Sequence, residues 1–215
     1  MAFASVVLDV DSTVSSIEGI DWLAERRDEI VARTVATLTI DAMEARVPLD
    51  EVYGRRLEII RPTRAEITAL SHVYIETALP GVRDAVRSWR EAGVRVVLVS
   101  GGLRDAILPL AAWLGIVESD VFAVDVAYDG AGIAEGVRDD ALLSRRGGKP
   151  LVVGSLDLPR PILAVGDGAT DAELASVVDC FLAFTGVARR ERVVAAAAGE
   201  VADFASLTPL VLGHT

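Results

Sequence analysis

The hydrophobic and polar positions of the second part of the chain alternate between two kinds of segment. Continuous apolar runs read as buried strands over 94–100 ("VRVVLVS"), 161–166 ("PILAVG") and 180–184 ("CFLAF"). Helical stretches are predicted between them, over 81–93 and 103–115. Uninterrupted Val, Ile and Leu runs between helices are typical of a parallel sheet covered on both faces. This pattern predicts an α/β fold.

Two further segments extend this pattern. The strand over 161–166 continues into a glycine-rich turn and a helix ("GDGATDAELA"), and a helix is predicted over 189–198. The segment 121–137 instead alternates apolar and polar positions around Asp129-Gly130, a dipeptide that favours tight hairpin turns. We therefore expect a hairpin-like excursion there.

Residues 15–77 differ from the rest because they carry helical periodicity throughout and show no strand signal. Thr63 and Glu66 have the spacing of a helix capping box. The first strand, "VVL", directly precedes this segment. We predict a core made of residues 1–14 and 78–215, and a helical cap subdomain of residues 15–77 inserted after the first strand and lying over its end.

Charge and composition narrow the possible partners. The formal net charge of −11 disfavours nucleic acid and membrane surfaces, which bind through many basic side chains. No apolar stretch is long enough to cross a bilayer, and Asp9 and Asp11 break the apolar start, which lacks the pattern of a signal peptide. We expect a cytoplasmic protein. Cys180 is the single cysteine, so no internal disulfide can form, and we expect its thiol to be buried on a strand.

Polar residues stand where the predicted strands end. Asp9 and Asp11 follow the first strand, and the run Ser100-Gly101-Gly102 and the segment 166–171 follow two others. Each motif alone is more often a turn or a solvated helix start. Ligands of open parallel sheets, however, bind at the carboxyl ends of the strands. The joint occurrence of these motifs therefore predicts one shared site.

This set of residues fits the transfer of a phosphoryl group to a carboxylate. Asp9 would attack phosphorus and form an aspartyl-phosphate. Asp11 would donate a proton to the leaving alkoxide and later accept one from water. The Ser100 hydroxyl and the amides of Gly101 and Gly102 would bind the phosphoryl oxygens.

Such a site needs positive charge to offset its carboxylates. Asp9 and Asp167 offer the oxygen ligands that Mg²⁺ prefers, and Asp171 would orient Asp167 or a metal-bound water. Lys149 is the only lysine among 21 basic residues. A compact ammonium suits a phosphoryl site, so we assign Lys149 the second positive charge.

The motifs resemble those of the haloacid dehalogenase superfamily of aspartate-nucleophile phosphatases. They match at "DVDST" (9–13), "SGG" (100–102), Lys149 and "GDGATD" (166–171). The resemblance implies a Rossmann-like parallel-sheet core and a Mg²⁺ site that we place at Asp9, Asp11, Asp167 and Asp171.

The longer stretches "DVDSTVSSIEGID" and "RRLEIIRPTRAEI" are similar to the phosphoserine phosphatase branch of that superfamily. This resemblance implies hydrolysis of O-phospho-L-serine, with Glu18 binding the substrate amine and Arg56 its carboxylate. It also places Met43, Thr170 and Arg190 at the substrate.

The chain departs from this branch in the predicted pocket. Ala45 and Leu49 stand where the family usually has glycine and phenylalanine, and these changes would reshape the pocket without affecting the phosphoryl chemistry. Pro150 replaces a glycine after Lys149, and proline is tolerated in the first turn of a helix.

Three other functions remain open. A phosphatase for another small metabolite would use the same residues. A signalling receiver domain also phosphorylates an aspartate, but an acid/base such as Asp11 would hasten loss of the phosphoryl group. The third is a catalytically inactive binding protein on this fold. The partner expected is a small phosphate ester, and the protein is predicted to be a monomer or a homodimer.

Overall fold

The computed structural model of the chain describes residues 2–44, 46–47, 49–138 and 141–213, and a parallel sheet lies at its centre. The described strands are β1 (Ser5–Leu8), β2 (Arg95–Leu103), β3 (Val121–Val124), β4 (Val126–Tyr128), β5 (Ala134–Val137), β6 (Ile162–Gly166), β7 (Cys180–Phe184) and β8 (Gly199–Val201). Six of them form one sheet in the order β3-β2-β1-β6-β7-β8, and all neighbours are parallel. The predicted α/β fold is confirmed.

Strand β1 lies in the middle of this sheet. Its last residue, Leu8, is in register with Leu98 of β2 on one side and Val165 of β6 on the other. All four residues of β1 are buried, as expected of a strand covered on both faces. The carboxyl ends of β1, β2 and β6 therefore lie side by side, and the segments that follow them meet at one edge.

Helices cover the sheet and also form the segment after β1. In chain order they are α1 (Gly19–Ala24), α2 (Glu29–Met43), α3 (Leu49–Ile60), α4 (Arg64–Glu76), α5 (Val82–Glu91), α6 (Arg104–Leu114), α7 (Gly148–Ser155), α8 (Ala169–Ala172), α9 (Glu191–Ala196) and α10 (Phe204–Leu212). Among the described residues, none of these helices has the length and apolar character needed to span a bilayer.

The segment predicted as a hairpin-like excursion divides into two parts. Only β4 and β5 pair as an antiparallel hairpin, whereas residues 121–124 join the edge of the large sheet beside β2. Val121 and Val124 are buried there, which explains why they prefer the sheet. In the hairpin turn, Asp129 accepts hydrogen bonds from the amides of Ala131 and Ile133, both at 2.9 Å.

Helices α1–α4 form the helical insertion, residues 15–77, where helices alone were predicted. The chain leaves and rejoins the core at one place, because Ser15 pairs with Ala78 in an antiparallel bridge. The hydroxyls of Ser15 and Thr77 are 2.7 Å apart at the same point. This geometry is consistent with the division into core and cap, which stays a prediction.

The predicted capping box at the start of α4 is present, and it is tied to a second element. The Thr63 hydroxyl accepts from the Glu66 amide, while Glu66 accepts from the Thr63 amide at 2.8 Å. Arg27, which follows α1, donates to both carboxylate oxygens of Glu66 at 2.6 and 2.9 Å. The hydrogen bonds from Arg27 lower the pKa of Glu66 to about 2. The pair thus fastens the end of α1 to the start of α4.

This pair predicts a pH-dependent contribution to stability. A carboxyl whose pKa is lowered by folding stabilises the folded state above its unfolded pKa, here 4.5, and loses that contribution as the pH falls toward 2. We expect Glu66→Gln, which keeps the capping hydrogen bonds, to reduce the free energy of unfolding at pH 7 by up to about 1 kcal/mol. Urea unfolding at several pH values measures the difference, which should shrink between pH 4.5 and pH 2.

Glu58→Gln is the matched control, because Glu58 is an exposed carboxylate on the neighbouring helix α3. Its unfolding free energy should follow that of the unmodified chain at every pH. A Glu66→Gln difference that is constant with pH would show that the charge of Glu66 contributes nothing.

Candidate active site

A sharp turn follows β1 and forms the base of the site. The amide of Asp9 still continues the sheet by donating to the Val165 carbonyl at 3.1 Å. Three residues later, Ser12 has a φ of 52°, in the left-handed region that residues other than glycine rarely adopt. Its hydroxyl donates to Glu18 at 2.7 Å. The turn brings Glu18 back to the strand end, where it accepts this hydrogen bond.

Lys149 lies in the first turn of α7 and reaches the end of β1. Its Nζ donates to Oδ1 of Asp9 at 2.7 Å and to Oδ1 of Asp171 at 2.6 Å, and the side chain is buried. Burial alone would lower the pKa of Lys149, but the charges of Asp171 and Asp9 raise it above its ordinary value, so the ammonium stays protonated. Pro150 is accommodated in the first turn, as expected.

Three buried carboxylates form a group that can hold a metal ion. Asp9, Asp167 and Asp171 each offer one oxygen, and these oxygens lie within 4.8 Å of one another. Burial and the charge of Asp9 raise the pKa of Asp171 to about 7. A divalent cation would relieve this repulsion, so the donor set fits a hard metal ion. Asp11 lies outside this group, and its place at the metal site stays a prediction.

The charges around this group also favour a cation. Arg190 contacts Oδ2 of Asp167, and its guanidinium lies 3.9 Å from Glu18. The site brings five carboxyl groups together with three cationic side chains: Asp9, Asp11, Glu18, Asp167 and Asp171 with Arg56, Lys149 and Arg190. Carboxyl groups outnumber cationic side chains at this site, which favours the binding of a cation.

Asp11 is held by two hydrogen bonds to the same oxygen. Its Oδ1 accepts from the amide of Gly19 at 2.8 Å and from the hydroxyl of Tyr74 at 2.7 Å. Burial and the nearby charge of Asp9 raise the pKa of Asp11 to about 6. A carboxyl with a pKa near neutrality can both donate and accept a proton, which suits general acid and base catalysis.

The carboxyl-terminal part of β2 supplies the third part of the site. Ser100 is fully buried, and its Oγ accepts from the amide of Gly102 at 3.0 Å. This amide, which we expected to face a phosphoryl group, is therefore already paired. A Cβ at position 102 would lie 3.0 Å from Oδ2 of Asp11 and 2.9 Å from Ile107, so a side chain there would require both groups to shift. The Gly101 carbonyl accepts from the Tyr53 hydroxyl at 2.7 Å.

A narrow pocket lies above these residues. Glu18 and Arg56 lie on its wall with the core residues Asp9 and Lys149. Burial and the charge of Asp11 raise the pKa of Glu18 to about 8. A ligand ammonium beside Glu18 would favour its ionised form, so the pocket suits a cationic group at this point.

Arg56 is buried and only partly paired. One of its terminal nitrogens donates to the Thr39 hydroxyl at 2.9 Å, and Thr39 in turn donates to Asp21 at 2.5 Å. Within the described residues, Nε of Arg56 has no hydrogen-bond partner. An unpaired buried donor costs free energy, so this guanidinium is suited to receive a carboxylate from a ligand.

The structure brings most of the predicted site residues to this pocket. Its lining includes Gly101, Met43 and Thr170 in addition to the charged groups. Arg190 lies behind the pocket against Asp167. Of the two positions where the pocket segment departs from the family, Ala45 lies outside the described residues, and the side chain of Leu49 is not among those described.

Sequence reasoning missed two tyrosines at the site, Tyr53 and Tyr74. Both are fully buried on helices α3 and α4, and both direct a hydroxyl at the core. Their positions on apolar helix faces read as ordinary packing. The available signal was chemical, because a buried tyrosine hydroxyl requires a partner.

Three comparisons with known proteins agree with this geometry. A family model for haloacid dehalogenase-like hydrolases matches residues 6–176. The phosphoserine phosphatase of Rattus norvegicus is 34% identical over 206 residues, which cover 94% of this chain and 91% of the relative.

Among solved structures, a phosphoserine phosphohydrolase-like protein from Francisella tularensis has a TM-score of 0.88 at 22% identity, covering 99% of this chain and 100% of the other. A phospho-aspartyl intermediate analogue of phosphoserine phosphatase has a TM-score of 0.78 at 20% identity, covering 94% of this chain and 95% of the other. These two likenesses concern the fold.

Proposed function

Because this chain belongs to the haloacid dehalogenase-like hydrolases and, among them, to the phosphoserine phosphatases, we propose that it hydrolyses O-phospho-L-serine to L-serine and phosphate. One observation carries the proposal. A buried aspartate paired with a buried lysine faces a pocket whose wall presents both a carboxyl group and an incompletely paired arginine, Glu18 and Arg56.

The first step transfers the phosphoryl group to the enzyme. A carboxylate oxygen of Asp9 attacks phosphorus, so an oxygen–phosphorus bond forms while the bond from phosphorus to the serine oxygen breaks. Asp11 gives its proton to that departing oxygen, which leaves as a neutral hydroxyl. Lys149 donates to Asp9 throughout and offsets the negative charge of the incoming phosphate.

The second step regenerates the enzyme. Asp11, now ionised, accepts a proton from water as the water oxygen attacks phosphorus. The bond from phosphorus to Asp9 breaks, inorganic phosphate leaves and Asp11 is protonated again. The Ser100 hydroxyl, which accepts from Gly102, still has its own proton to donate to a phosphoryl oxygen.

Asp9, Asp167 and Asp171 would hold the metal ion, for which we propose Mg²⁺ because their ligands are all carboxylate oxygens. When bound, this ion would supply positive charge at the phosphoryl oxygens. Asp171 has a second role that needs no metal, since it shares Lys149 with Asp9 and so fixes the position of the ammonium.

The amino-acid part of the substrate would lie between two charged groups of the helical insertion. Glu18 would bind the ammonium, and the guanidinium of Arg56, which lines the pocket, would bind the carboxylate. Met43 and Thr170 would contact the substrate from the pocket wall, while Arg190 would act beside Glu18.

The charge of the chain bears on its partners, and we also propose its location, its oligomeric state and its division into two parts. With a net charge of −11, the protein would act on a small phosphate ester and would bind neither nucleic acid nor membranes. We propose a cytoplasmic monomer or homodimer in which residues 15–77 form a cap over a core of residues 1–14 and 78–215.

Phosphate release from a panel of esters tests the proposed function. The purified protein with Mg²⁺ should release phosphate from O-phospho-L-serine with a higher kcat/KM than from O-phosphoethanolamine, glycerol phosphate or sugar phosphates. A higher kcat/KM for another ester would replace phosphoserine as the substrate and would keep the mechanism. Formation of a stable aspartyl-phosphate without turnover would instead identify a signalling protein.

Arg56→Ala tests the carboxylate assignment. O-phosphoethanolamine has the amine and phosphate of phosphoserine but lacks its carboxylate. We expect kcat/KM for phosphoserine to fall by about a hundredfold and that for phosphoethanolamine to change little, because a charge-assisted pair contributes about 1.5–3 kcal/mol. Steady-state kinetics with both substrates provides the measurement.

Arg55→Ala is the matched control, because Arg55 is the exposed neighbour of Arg56 on α3. It should leave kcat/KM for both substrates unchanged. Equal losses of Arg56→Ala on the two substrates would remove Arg56 from the carboxylate role.

A further inference from the structure

We propose that Tyr74 is a positioning residue that orients Asp11, so that the helical insertion sets the proton donor of the core. This inference rests on the proposed function, because it concerns the group that protonates the leaving serine oxygen. Tyr74 belongs to α4 of the insertion, and Asp11 belongs to the core segment after β1.

The hydrogen bonds distinguish the two oxygens of Asp11. Oδ1 accepts from the Tyr74 hydroxyl at 2.7 Å and from the Gly19 amide at 2.8 Å. Two donors directed at one oxygen leave it no room to carry a proton of its own. The proton of the carboxylic acid is therefore assigned to Oδ2.

Asp11 lines the pocket in which a phosphate ester would react, and its second oxygen, Oδ2, lies near the end of β2. A Cβ built on Gly102 would lie 3.0 Å from Oδ2 and 3.3 Å from the Ser100 hydroxyl oxygen, which places Oδ2 beside the last residues of β2. Within the described chain, no hydrogen bond to Oδ2 is formed, so this oxygen is available to the substrate. Tyr74 thus holds the carboxyl plane in the orientation that presents the proton.

The structural surroundings of Tyr74 support a specific role for its hydroxyl. Tyr74 is fully buried, and burial and the charge of Asp11 raise its pKa well above the ordinary value, so it remains a donor. Its hydroxyl lies so close to Gly19 that a Cβ at position 19 would overlap it. Glycine at position 19 therefore leaves the space that the Tyr74 hydroxyl occupies, so the hydrogen bond to Asp11 depends on both residues.

Both donors to Asp11 come from the helical insertion. Gly19 opens α1, and Tyr74 lies in the last turn of α4, just before the chain rejoins the core at Ala78. The core provides the carboxyl group, but the insertion determines its orientation. The proton donor is therefore complete only when α1 and α4 are seated against the core.

Tyr74→Phe tests this inference, because it removes one oxygen atom and preserves the ring. A proton donor matters most when the leaving group is a poor one, such as the serine alkoxide, and little for p-nitrophenolate. The value of kcat/KM reports the steps up to departure of the alcohol, whichever step limits kcat. We expect it to fall at least about tenfold for phosphoserine and less than threefold for p-nitrophenyl phosphate.

Tyr128→Phe is the matched control, because Tyr128 loses a hydrogen bond of similar length, to Asp105 at 2.8 Å, on the exposed hairpin. It should change neither kcat/KM value. Gly19→Ala is a second variant, since its methyl group would displace the Tyr74 hydroxyl while keeping the amide, and the same selective loss is expected.

Equal losses of Tyr74→Phe on both substrates, or no loss on either, would overturn the inference. If the unmodified protein prefers another alkyl phosphate to phosphoserine, the proposed substrate fails, and the same comparison between that alkyl ester and p-nitrophenyl phosphate still tests Tyr74. The two failures are therefore distinguishable.

Discussion

Asp9→Asn should lower kcat for O-phospho-L-serine by at least about a thousandfold, because the amide cannot act as the nucleophile. The substitution keeps the size of the side chain and a carbonyl oxygen that can accept from Lys149. Lys149 also keeps its second partner, Asp171, at 2.6 Å. The fold should therefore be preserved while the chemistry is lost. Phosphate release under saturating substrate measures the effect.

Two controls accompany this variant. Asp84→Asn removes an exposed carboxylate that pairs with Arg87 on α5, and it should retain full activity. Thermal unfolding should show a cooperative transition for Asp9→Asn, as for the unmodified chain. Near-normal turnover by a freshly purified Asp9→Asn preparation would contradict the aspartyl-phosphate mechanism.

Lys149→Met should affect both activity and stability. The ammonium is the shared partner of Asp9 and Asp171, and all three side chains are buried. Its removal leaves two carboxylates without a counter-charge, which costs about 3–5 kcal/mol when a buried pair is broken. Partial protonation of the carboxyls will offset part of this cost. We expect kcat to fall at least about a hundredfold and the free energy of unfolding in metal-free buffer at pH 7 to fall by about 3 kcal/mol.

Arg146→Met is the appropriate control, because Arg146 is a highly exposed cation just before α7 and pairs loosely with Glu173 at 3.4 Å. It should leave activity and unfolding unchanged. If Lys149→Met proved as stable as the unmodified chain, the two carboxyl groups would have to be neutral in the folded protein. An unchanged kcat would exclude Lys149 from the phosphoryl site.

The convergence of Asp9, Lys149 and Asp171 could be predicted from sequence. Parallel strands bring their carboxyl ends to one edge, and β1 is the central strand, so residues that follow it must meet those that follow β6. The single lysine then supplies the positive charge that these carboxylates require. The motifs at the predicted strand ends and the need of the carboxylates for a counter-charge predicted this part of the site.

The roles of Tyr53 and Tyr74 could not be predicted in the same way. Helical periodicity identifies the buried face of α3 and α4, but not the group of the core that lies opposite each residue. That group depends on how the insertion is seated, which is a tertiary property. For the same reason, alternation over 121–137 did not separate β3 from the hairpin, since β3 is defined by its pairing with β2.

The bridge between Ser15 and Ala78 shows how the insertion is attached, and it has an evolutionary consequence. Because the two ends of the insertion are neighbours, this module can be exchanged between related proteins without disturbing the sheet. Here the module would carry more than specificity, because the hydroxyl of Tyr74 and the amide of Gly19 would be transferred with it. A chimaera that carries the insertion of another protein would have a different substrate pocket and a different orientation of Asp11. Substrate specificity and catalytic rate would therefore change together.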